Sequence, residues 1–204
     1  MAMQRLIKQL SMCTLFISGS FLFSGCESPG PQISQPTTKQ PSSVVATLSP
    51  IDREHYEKAL NNLDQKAYKK SLKALQKLDK KHPNHLGVKI NLATNYLLVE
   101  RLDLAASTAQ QALSINNTVA EVHNVLGLIA IEQKAYKKAE TEYLLAVTLN
   151  KKLAEAHYNI ALLYDVYFQD INKAYAYYNS YLELEPDDQK TRDWVDQLKY
   201  SLEQ

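Results

Sequence analysis

The sequence predicts an all-α fold in which a two-helix unit repeats along the chain, and three observations predict it. The 204-residue chain has only 5 glycines and 7 prolines, and most of the prolines precede residue 51. So few turn-forming residues argue against β-sandwiches, barrels and glycine-looped nucleotide folds. Small and apolar residues recur at a spacing of 34 from residue 52 onward. Both cysteines, Cys13 and Cys26, lie near the start, so the repeating part has no disulfide and no cysteine metal site.

Residues 1–25 have the composition of an export signal. Arg5 and Lys8 form a short basic start, and an apolar stretch interrupted by serine and glycine runs from Leu10 to Phe23. This stretch is too short and too polar for a stable membrane span, but it suits the hydrophobic part of a signal peptide. We therefore predict that residues 1–25 are a signal peptide.

The end of this segment carries a cysteine motif. Leu22-Phe23-Ser24-Gly25-Cys26 resembles the bacterial lipobox, with Phe23 where leucine is usual. The resemblance implies cleavage before Cys26 and lipidation of that cysteine, which fixes a chain to a membrane without a spanning helix. Glu27 after the cysteine implies an outer-membrane anchor with the chain facing the periplasm. Two alternatives stay open, namely an ordinary cleaved signal with a chance cysteine and an uncleaved anchor.

Residues 26–50 are predicted to be the lipidated cysteine and a disordered linker. The segment is rich in proline, serine and threonine, has no helical period and carries one lysine and one glutamate. It cannot bury enough apolar area to offset the entropy lost on ordering. Its one apolar patch, residues 44–48, is a candidate for docking on the folded part.

Residues 51–204 are predicted to form one domain of four repeats, at 52–85, 86–119, 120–153 and 154–188, with a capping helix at 189–202. Small residues stand at the eighth and twentieth places: Ala59, Ala93, Gly127 and Ala161, then Ser71, Ala105, Ala139 and, one residue late, Ala174. Apolar or aromatic residues stand at the twenty-fourth place: Leu75, Ala109, Tyr143 and Tyr178. Proline stands at the thirty-second place of the first and last repeats, as Pro83 and Pro186. This pattern resembles the tetratricopeptide repeat (TPR).

The TPR resemblance implies four helix–turn–helix units stacked as a right-handed superhelix, an α-solenoid. Small side chains let the two helix axes approach, and stacking covers the apolar face that one unit leaves exposed. One extra residue between Tyr164 and Ala174 predicts a longer turn in the fourth repeat. Asp187 or Asp188 is predicted to cap the last helix, and its residues Trp194, Leu198 and Leu202 are predicted to cover the open end of the stack.

Proteins of this family bind partners in the concave groove lined by the first helix of each repeat. From the places carried over from the family, together with the nearby asparagines Asn91 and Asn159, the predicted groove residues are Tyr56, Leu60, Leu63, Ile90, Asn91, Thr94, Leu97, Leu98, Asn124, Leu128, Ile131, Tyr158, Asn159 and Leu162. Most are apolar, so we expect the partner to be an amphipathic helix or an apolar extended segment, with the asparagines binding its backbone. The alternative is a groove filled by the protein itself, by a second copy of the chain or by the patch at residues 44–48.

Two further surfaces are suggested by the composition. Residues 52–85 carry 9 basic and 5 acidic side chains, whereas residues 154–204 carry 4 and 10. The lysines near the linker form either a solvated face or a surface attracted to anionic headgroups; they are Lys66, Lys69, Lys70, Lys73, Lys77, Lys80 and Lys81. Tyrosines crowd the fourth repeat, where Tyr167, Phe168, Tyr175 and Tyr177 are either a second contact site or solvent-exposed filler.

The sequence gives no support for catalysis, a metal or a cofactor. His55, His123 and His157 all occupy the fourth place of their repeats, so repetition explains them better than ligation does. There is no nucleophile elbow and no phosphate-binding loop. The formal net charge of +1 and the export signal argue against nucleic acid as a partner.

The sequence therefore favours a membrane-anchored scaffold or adaptor that binds another envelope protein. Small repeat lipoproteins of this build resemble the pilotins of type IV pili, which help an outer-membrane secretin assemble. The runner-up is an accessory lipoprotein of a TolQ/ExbB/TonB-type energised system or of gliding motility. A third candidate is an adaptor for a periplasmic or peptidoglycan hydrolase. Whether the chain forms a homo-oligomer stays open.

Overall fold

The structure, a computed structural model, describes residues 48–203. The predicted signal peptide, Cys26 and most of the predicted linker lie outside the described residues. Within the described part, none of the helices is long and apolar enough to cross a lipid bilayer.

Helices form almost all of residues 48–203, with no strand among them. In chain order they are α1 (Pro50–Asp64), α2 (Tyr68–Lys81), α3 (Leu86–Leu98), α4 (Leu102–Ile115), α5 (Ala120–Glu132), α6 (Tyr136–Leu149), α7 (Ala154–Leu162), α8 (Ile171–Leu184) and α9 (Gln189–Leu202). A π-helical segment, Leu163–Phe168, continues α7. The predicted all-α fold of four helix–turn–helix repeats and a C-terminal capping helix is confirmed.

Each first helix of a pair ends in a turn whose central residue has a left-handed backbone. These residues are Lys66, Glu100, Lys134 and Gln169, with φ of 58°, 61°, 59° and 54°. In the first three repeats an amide bonds to the carbonyl five residues earlier, as from Ala67 N to Asn62 O at 2.7 Å. This is the Schellman turn that satisfies the last carbonyls of a helix, here without glycine.

The extra residue of the fourth repeat does not lengthen the turn as predicted. It is taken up inside the helix as the π-helical segment Leu163–Phe168, and the closing bond runs from Asp170 N to Tyr164 O at 2.9 Å, one residue further back. A one-residue insertion into a helix is commonly accommodated as a wider π turn. The turn itself keeps its geometry, with Gln169 in the left-handed place.

The repeated small residues lie in the interior of the helix pairs. Ala59, Ala93 and Ala161 are fully buried, and so are their partners Ser71, Ala105, Ala139 and Ala174. Gly127 takes the eighth place in the third repeat, where a Cβ atom would lie well inside van der Waals contact with the Tyr143 ring. The third repeat therefore combines the smallest residue at this place with a large aromatic ring opposite it.

The start of the stack is held by a network around Asp52. Its carboxylate accepts hydrogen bonds from Lys81 Nζ at 2.7 Å, Ser49 Oγ at 2.7 Å and His82 at 3.0 Å. Ser49 Oγ in turn accepts from the Asp52 amide at 3.2 Å and caps α1. Leu48 is buried, so the described end of the apolar patch is part of the hydrophobic core.

We predict that this network makes the protein acid-sensitive. The ammonium of Lys81, with the donors of Ser49 and His82, holds the pKa of Asp52 far below its ordinary value of 3.8. A carboxylate whose pKa is lowered by folding stabilises the protein above its unfolded pKa, and this stability is lost as the pH falls below it. Asp52→Asn should therefore lower the melting temperature at neutral pH and weaken its fall between about pH 5 and pH 2. Equal acid slopes for both proteins would contradict this role of Asp52.

The end of the stack is closed by α9. Asp188, one of the two predicted caps, accepts from the Thr191 amide at 3.2 Å and from its hydroxyl at 2.8 Å. Leu198 is buried in the core, as predicted, and Trp194 packs against the same core. Leu202 is 38% exposed, so the prediction that it covers the stack is wrong. Val195, one helical turn from Thr191 and Leu198, is the buried residue instead.

Candidate partner-binding groove

The predicted groove residues lie on α1, α3, α5 and α7, but they differ in exposure. Ile90, Leu97 and Leu98 are half-buried. The others are buried: Tyr56, Leu60, Leu63, Asn91, Thr94, Asn124, Leu128, Ile131, Tyr158, Asn159 and Leu162. Partner binding by these residues remains a prediction, and the half-buried ones offer the most surface for it.

The predicted groove asparagines make contacts between neighbouring first helices. Asn91 Nδ2 donates to the Tyr56 hydroxyl at 2.7 Å and to Gly87 O at 3.0 Å. Asn159 Nδ2 donates to Asn124 Oδ1 at 2.9 Å. Burial raises the pKa of Tyr56 above its ordinary value of 10.0, although the hydrogen bond from Asn91 acts in the opposite direction. The Tyr56 hydroxyl is therefore neutral. These amides hold the repeats together and are not free to grip a partner's backbone through the same donors.

Three of the buried groove leucines, Leu60, Leu128 and Leu162, belong to two core clusters. The first core cluster runs from Leu48 in the first repeat to Ile129 on α5 and includes Leu60. The second core cluster runs from Leu128 on α5 to Leu198 on α9, and Leu97 packs against both clusters. Burying a leucine side chain stabilises a fold by about 1.5–3 kcal/mol. A charged residue at Leu128 is therefore expected to impair folding as well as binding.

Leu128 has three partners from the predicted groove in the second core cluster: Ile131, Tyr158 and Leu162. Tyr158 is held edge-to-face against Tyr178 and Tyr181, with ring centroids 5.6 and 5.1 Å away. Such aromatic pairs add stability beyond the area they bury. These side chains therefore fix the packing of the third and fourth repeats.

An accessible row runs along the thirteenth place of the first helices. It consists of Asp64, Leu98, Glu132 and Val166, so acidic and apolar residues alternate. Val166 is 42% exposed, and Leu98 lies outside both core clusters of the described residues. Desolvation raises the pKa of Glu132, and the negative charge of Glu100 adds to this effect. Val166 stands at the family groove place that Leu98 occupies in the second repeat, although it is not among the groove residues predicted above.

Tyr167, Phe168, Tyr175 and Tyr177, which the sequence offers as a second contact site, are half-buried, and several of them contact other rings. Tyr167 packs against Tyr136 with ring centroids 4.4 Å apart and the rings tilted by 30°, and Tyr177 stacks on Tyr164 at 5.8 Å. The Tyr164 hydroxyl donates to Glu140 at 2.8 Å, and Lys137 lies over the Phe168 ring at 4.4 Å. This cluster joins the π-helical segment to α6 and α8. The contacts favour a structural role for these aromatic residues over the second contact site considered in the sequence analysis.

The second helices also carry exposed leucine and isoleucine side chains, and these lie outside the predicted groove. Leu144, Leu145 and Leu149 lie on α6, and Leu104 and Ile115 lie on α4, each between 37% and 43% exposed. Ile115 and Leu149 occupy the same repeat place, the thirtieth, at the end of the two helices. Leu145 provides an exposed leucine away from the first helices for comparison with Leu98.

Two of the three repeated histidines, His123 and His157, bind turns within the chain. His123 lies 2.8 Å from Glu142 and 3.3 Å from the Asn117 carbonyl, and His157 lies 3.0 Å from the Lys151 carbonyl. Both carbonyls stand six residues earlier, at the place where other repeats carry proline. Across residues 48–203, no three potential metal-binding side chains cluster together.

The chain resembles known TPR structures. A TPR protein of Thermus thermophilus superposes with a TM-score of 0.66 at 23% identity, covering 73% of this chain and 81% of that one. Pseudomonas aeruginosa PilF gives 0.65 at 21% identity, covering 74% and 69%. The first TPR domain of Spaghetti, bound to an HSP90 peptide, gives 0.53 at 18% identity, covering 58% and 94%. No sequence-family profile and no curated protein matches the chain. The structural likeness shows that the chain has the TPR fold.

Proposed function

We propose that this chain is a membrane-anchored TPR scaffold that binds another protein of the cell envelope through the concave face of its first helices. The observation that carries the proposal is the accessible apolar surface at Ile90, Leu97 and Leu98, continued in the same repeat place by Val166. Apolar side chains at this spacing suit one face of an amphipathic helix. A TPR domain of the same fold holds a peptide in the Spaghetti structure, which supports a protein ligand.

The proposed setting is the outer membrane, with Cys26 lipidated and the repeats facing the periplasm. This part of the proposal rests on the lipobox-like sequence before Cys26 and on Glu27. The fold likeness to PilF favours assembly of a type IV pilus or a secretin as the specific role. Lipidation is tested by mass spectrometry of the mature chain, where an unmodified Cys26 would contradict the anchor.

The binding face can be tested with a matched pair of leucines. We expect a photo-crosslinking residue placed at Leu98 to capture a specific partner in intact cells, and one placed at Leu145 to capture none. Leu98→Glu should weaken capture at least about tenfold, because a buried unpaired carboxylate in an apolar interface is costly. Leu145→Glu should leave capture unchanged, because Leu145 lies on a second helix.

The same variants separate binding from folding. Both leucines are partly exposed, so both glutamate variants should keep their helical circular dichroism and melt cooperatively. Equal loss of capture in both variants, or capture from position 145 alone, would contradict a concave binding site.

The identity of the captured protein distinguishes the specific roles. A secretin client predicts a crosslinked secretin subunit and loss of secretin multimers when the gene is deleted. Normal multimers with inner-membrane proton-channel subunits in the crosslinked product would instead indicate an energised system. Altered cell-wall fragments after deletion would indicate an adaptor for a hydrolase.

A further inference from the structure

One face of α2 carries a dense patch of positive charge. Five of its lysines are exposed: Lys69, Lys70, Lys73, Lys77 and Lys80. At about 100° per residue, their side chains fall within an arc of about 100° around the helix. Leu72, Leu75 and Leu78 are buried on the opposite side, in the first core cluster. We call the five lysines the lysine face.

The lysine face is not neutralised within the described structure. Among the ion pairs of the described residues, none involves a lysine of this face. The adjacent Lys81 is paired with Asp52, and the only acidic residue of α2, Asp79, is paired with Lys89 on α3. The positive charge is therefore available to an outside partner.

This arrangement is unfavourable for the isolated helix. Lys69, Lys73 and Lys77 follow each other at intervals of four residues, where like charges repel. Lys69 and Lys70 also lie in the first turn of α2, and the helix dipole disfavours cations there. An anionic surface would relieve both effects at once, which favours a binding role over a merely solvated face.

Helix α6 begins with the same three residue types as α2, but one of its first lysines has charged and aromatic partners. It begins with Tyr136-Lys137-Lys138, at the repeat places of Tyr68-Lys69-Lys70. There, however, Lys137 bridges Glu140 at 3.1 Å and lies over the Phe168 ring. The α2 sequence has Leu72 and Ala74 at the repeat places where α6 has Glu140 and Glu142, so the first repeat lacks the acidic residues that neutralise this start in α6.

The chemistry of the lysine face fits a diffuse anionic surface. It contains no arginine, whose planar fork suits bidentate recognition of single carboxylate or phosphate groups. Lysine ammonium groups on flexible stems act as point charges that can reach several phosphates of a lipid surface. The chain enters the first repeat from the residues before Leu48, so a lipid at Cys26, as proposed above, would bring this repeat to the membrane first.

We propose that the lysine face of α2 binds anionic phospholipid headgroups and holds the first repeat against the membrane surface. This binding is separate from partner capture in the groove and does not require the lipid at Cys26. The acidic C-terminal part, with 10 acidic and 4 basic side chains in residues 154–204, would be repelled by the same surface. The repeats would then present their acidic end away from the membrane.

The test uses residues 31–204, a fragment that lacks the predicted signal and Cys26, after a cooperative helical melt has shown that this fragment is folded. It is sedimented with vesicles of phosphatidylcholine alone and of phosphatidylcholine with an equal part of phosphatidylglycerol. We expect binding only to the anionic vesicles and loss of it at about 1 M NaCl, where the Debye length is about 3 Å. Changing Lys69, Lys70, Lys73 and Lys77 to glutamine should weaken binding on the order of 1000-fold.

The control variant changes Lys134, Lys138, Lys151 and Lys152 to glutamine, which removes the same charge from exposed positions around α6. It should bind nearly as well as the parent. The α2 variant should melt no lower than the parent, because it relieves repulsion between lysines. Equal loss in both variants, binding to neutral vesicles, or no binding to anionic vesicles would overturn the proposal, and the last result would point to an acidic protein as the partner. None of these outcomes depends on crosslinking at Leu98.

Discussion

Gly127→Ala is expected to destabilise the protein by about 3 kcal/mol, at the upper end of the usual cost of overpacking a core. The added methyl group would overlap the ring of Tyr143, which is only 1% exposed and has no room to move outward. The ring is packed in the second core cluster, so relief requires the ring or the α5–α6 helix pair to shift. Urea denaturation followed by circular dichroism measures the loss.

A second substitution should rescue the first. The first repeat places Ala59 and Leu75 at the eighth and twenty-fourth places, and both are fully buried. Gly127→Ala combined with Tyr143→Leu reproduces that pair, so we expect the double variant to be more stable than the sum of the single losses predicts. Additive losses would show that the overlap with the ring is not the cause.

The contrast between these two repeats shows why so much of the fold could be predicted from sequence. The eighth, twentieth and twenty-fourth places are constrained by the distance between two helix axes, so their residue sizes reveal the packing directly. Asp188 could be proposed as a cap because an acidic side chain just before a helix satisfies free amides there. These signals are local, or they repeat at a fixed spacing.

The π-helical segment could not be predicted in the same way. The sequence shows one extra residue before Ala174, but an insertion can lengthen either a turn or a helix. The contacts of Tyr164 with Glu140 and of Trp194 with Asp165, at 2.8 Å each, involve residues 24 and 29 positions apart. Such tertiary contacts fix the segment after the helix has widened, and no local pattern encodes them.

The candidate groove could likewise be predicted only in part. Family places identify the first helices correctly as the elements that carry the predicted residues, but they do not say which side chains become buried. The sequence predicts that the Asn91 amide binds a partner's backbone, but in the structure this amide donates to Tyr56. Leu98 and Leu128 are both predicted groove leucines, yet of the two only Leu128 lies in a core cluster. The exposure of a side chain depends on how the neighbouring repeat packs against it. The position of a residue within its own repeat does not contain this information.

Asp79→Ala is expected to destabilise the junction between the first two repeats by about 3 kcal/mol. Lys89 on α3 is only 7% exposed, and its ammonium lies 2.7 Å from Asp79 on α2 and 2.8 Å from Gln111 on α4. Removing the carboxylate leaves a buried charge with a neutral amide as its remaining described partner. The penalty of an unpaired buried charge exceeds the value of the pair itself, since forming the pair already costs desolvation.

The double variant Asp79→Ala with Lys89→Met separates these two effects. Methionine keeps an unbranched apolar stem without the charge, so we expect the double variant to regain most of the lost stability. Because neighbouring repeats stabilise one another through their interfaces, the single variant should also release the first repeat early in a thermal melt. Equal stability of the single and double variants would show that the ammonium is not the source of the loss. The same melt would show whether the repeat that carries the lysine face depends on this junction to stay folded.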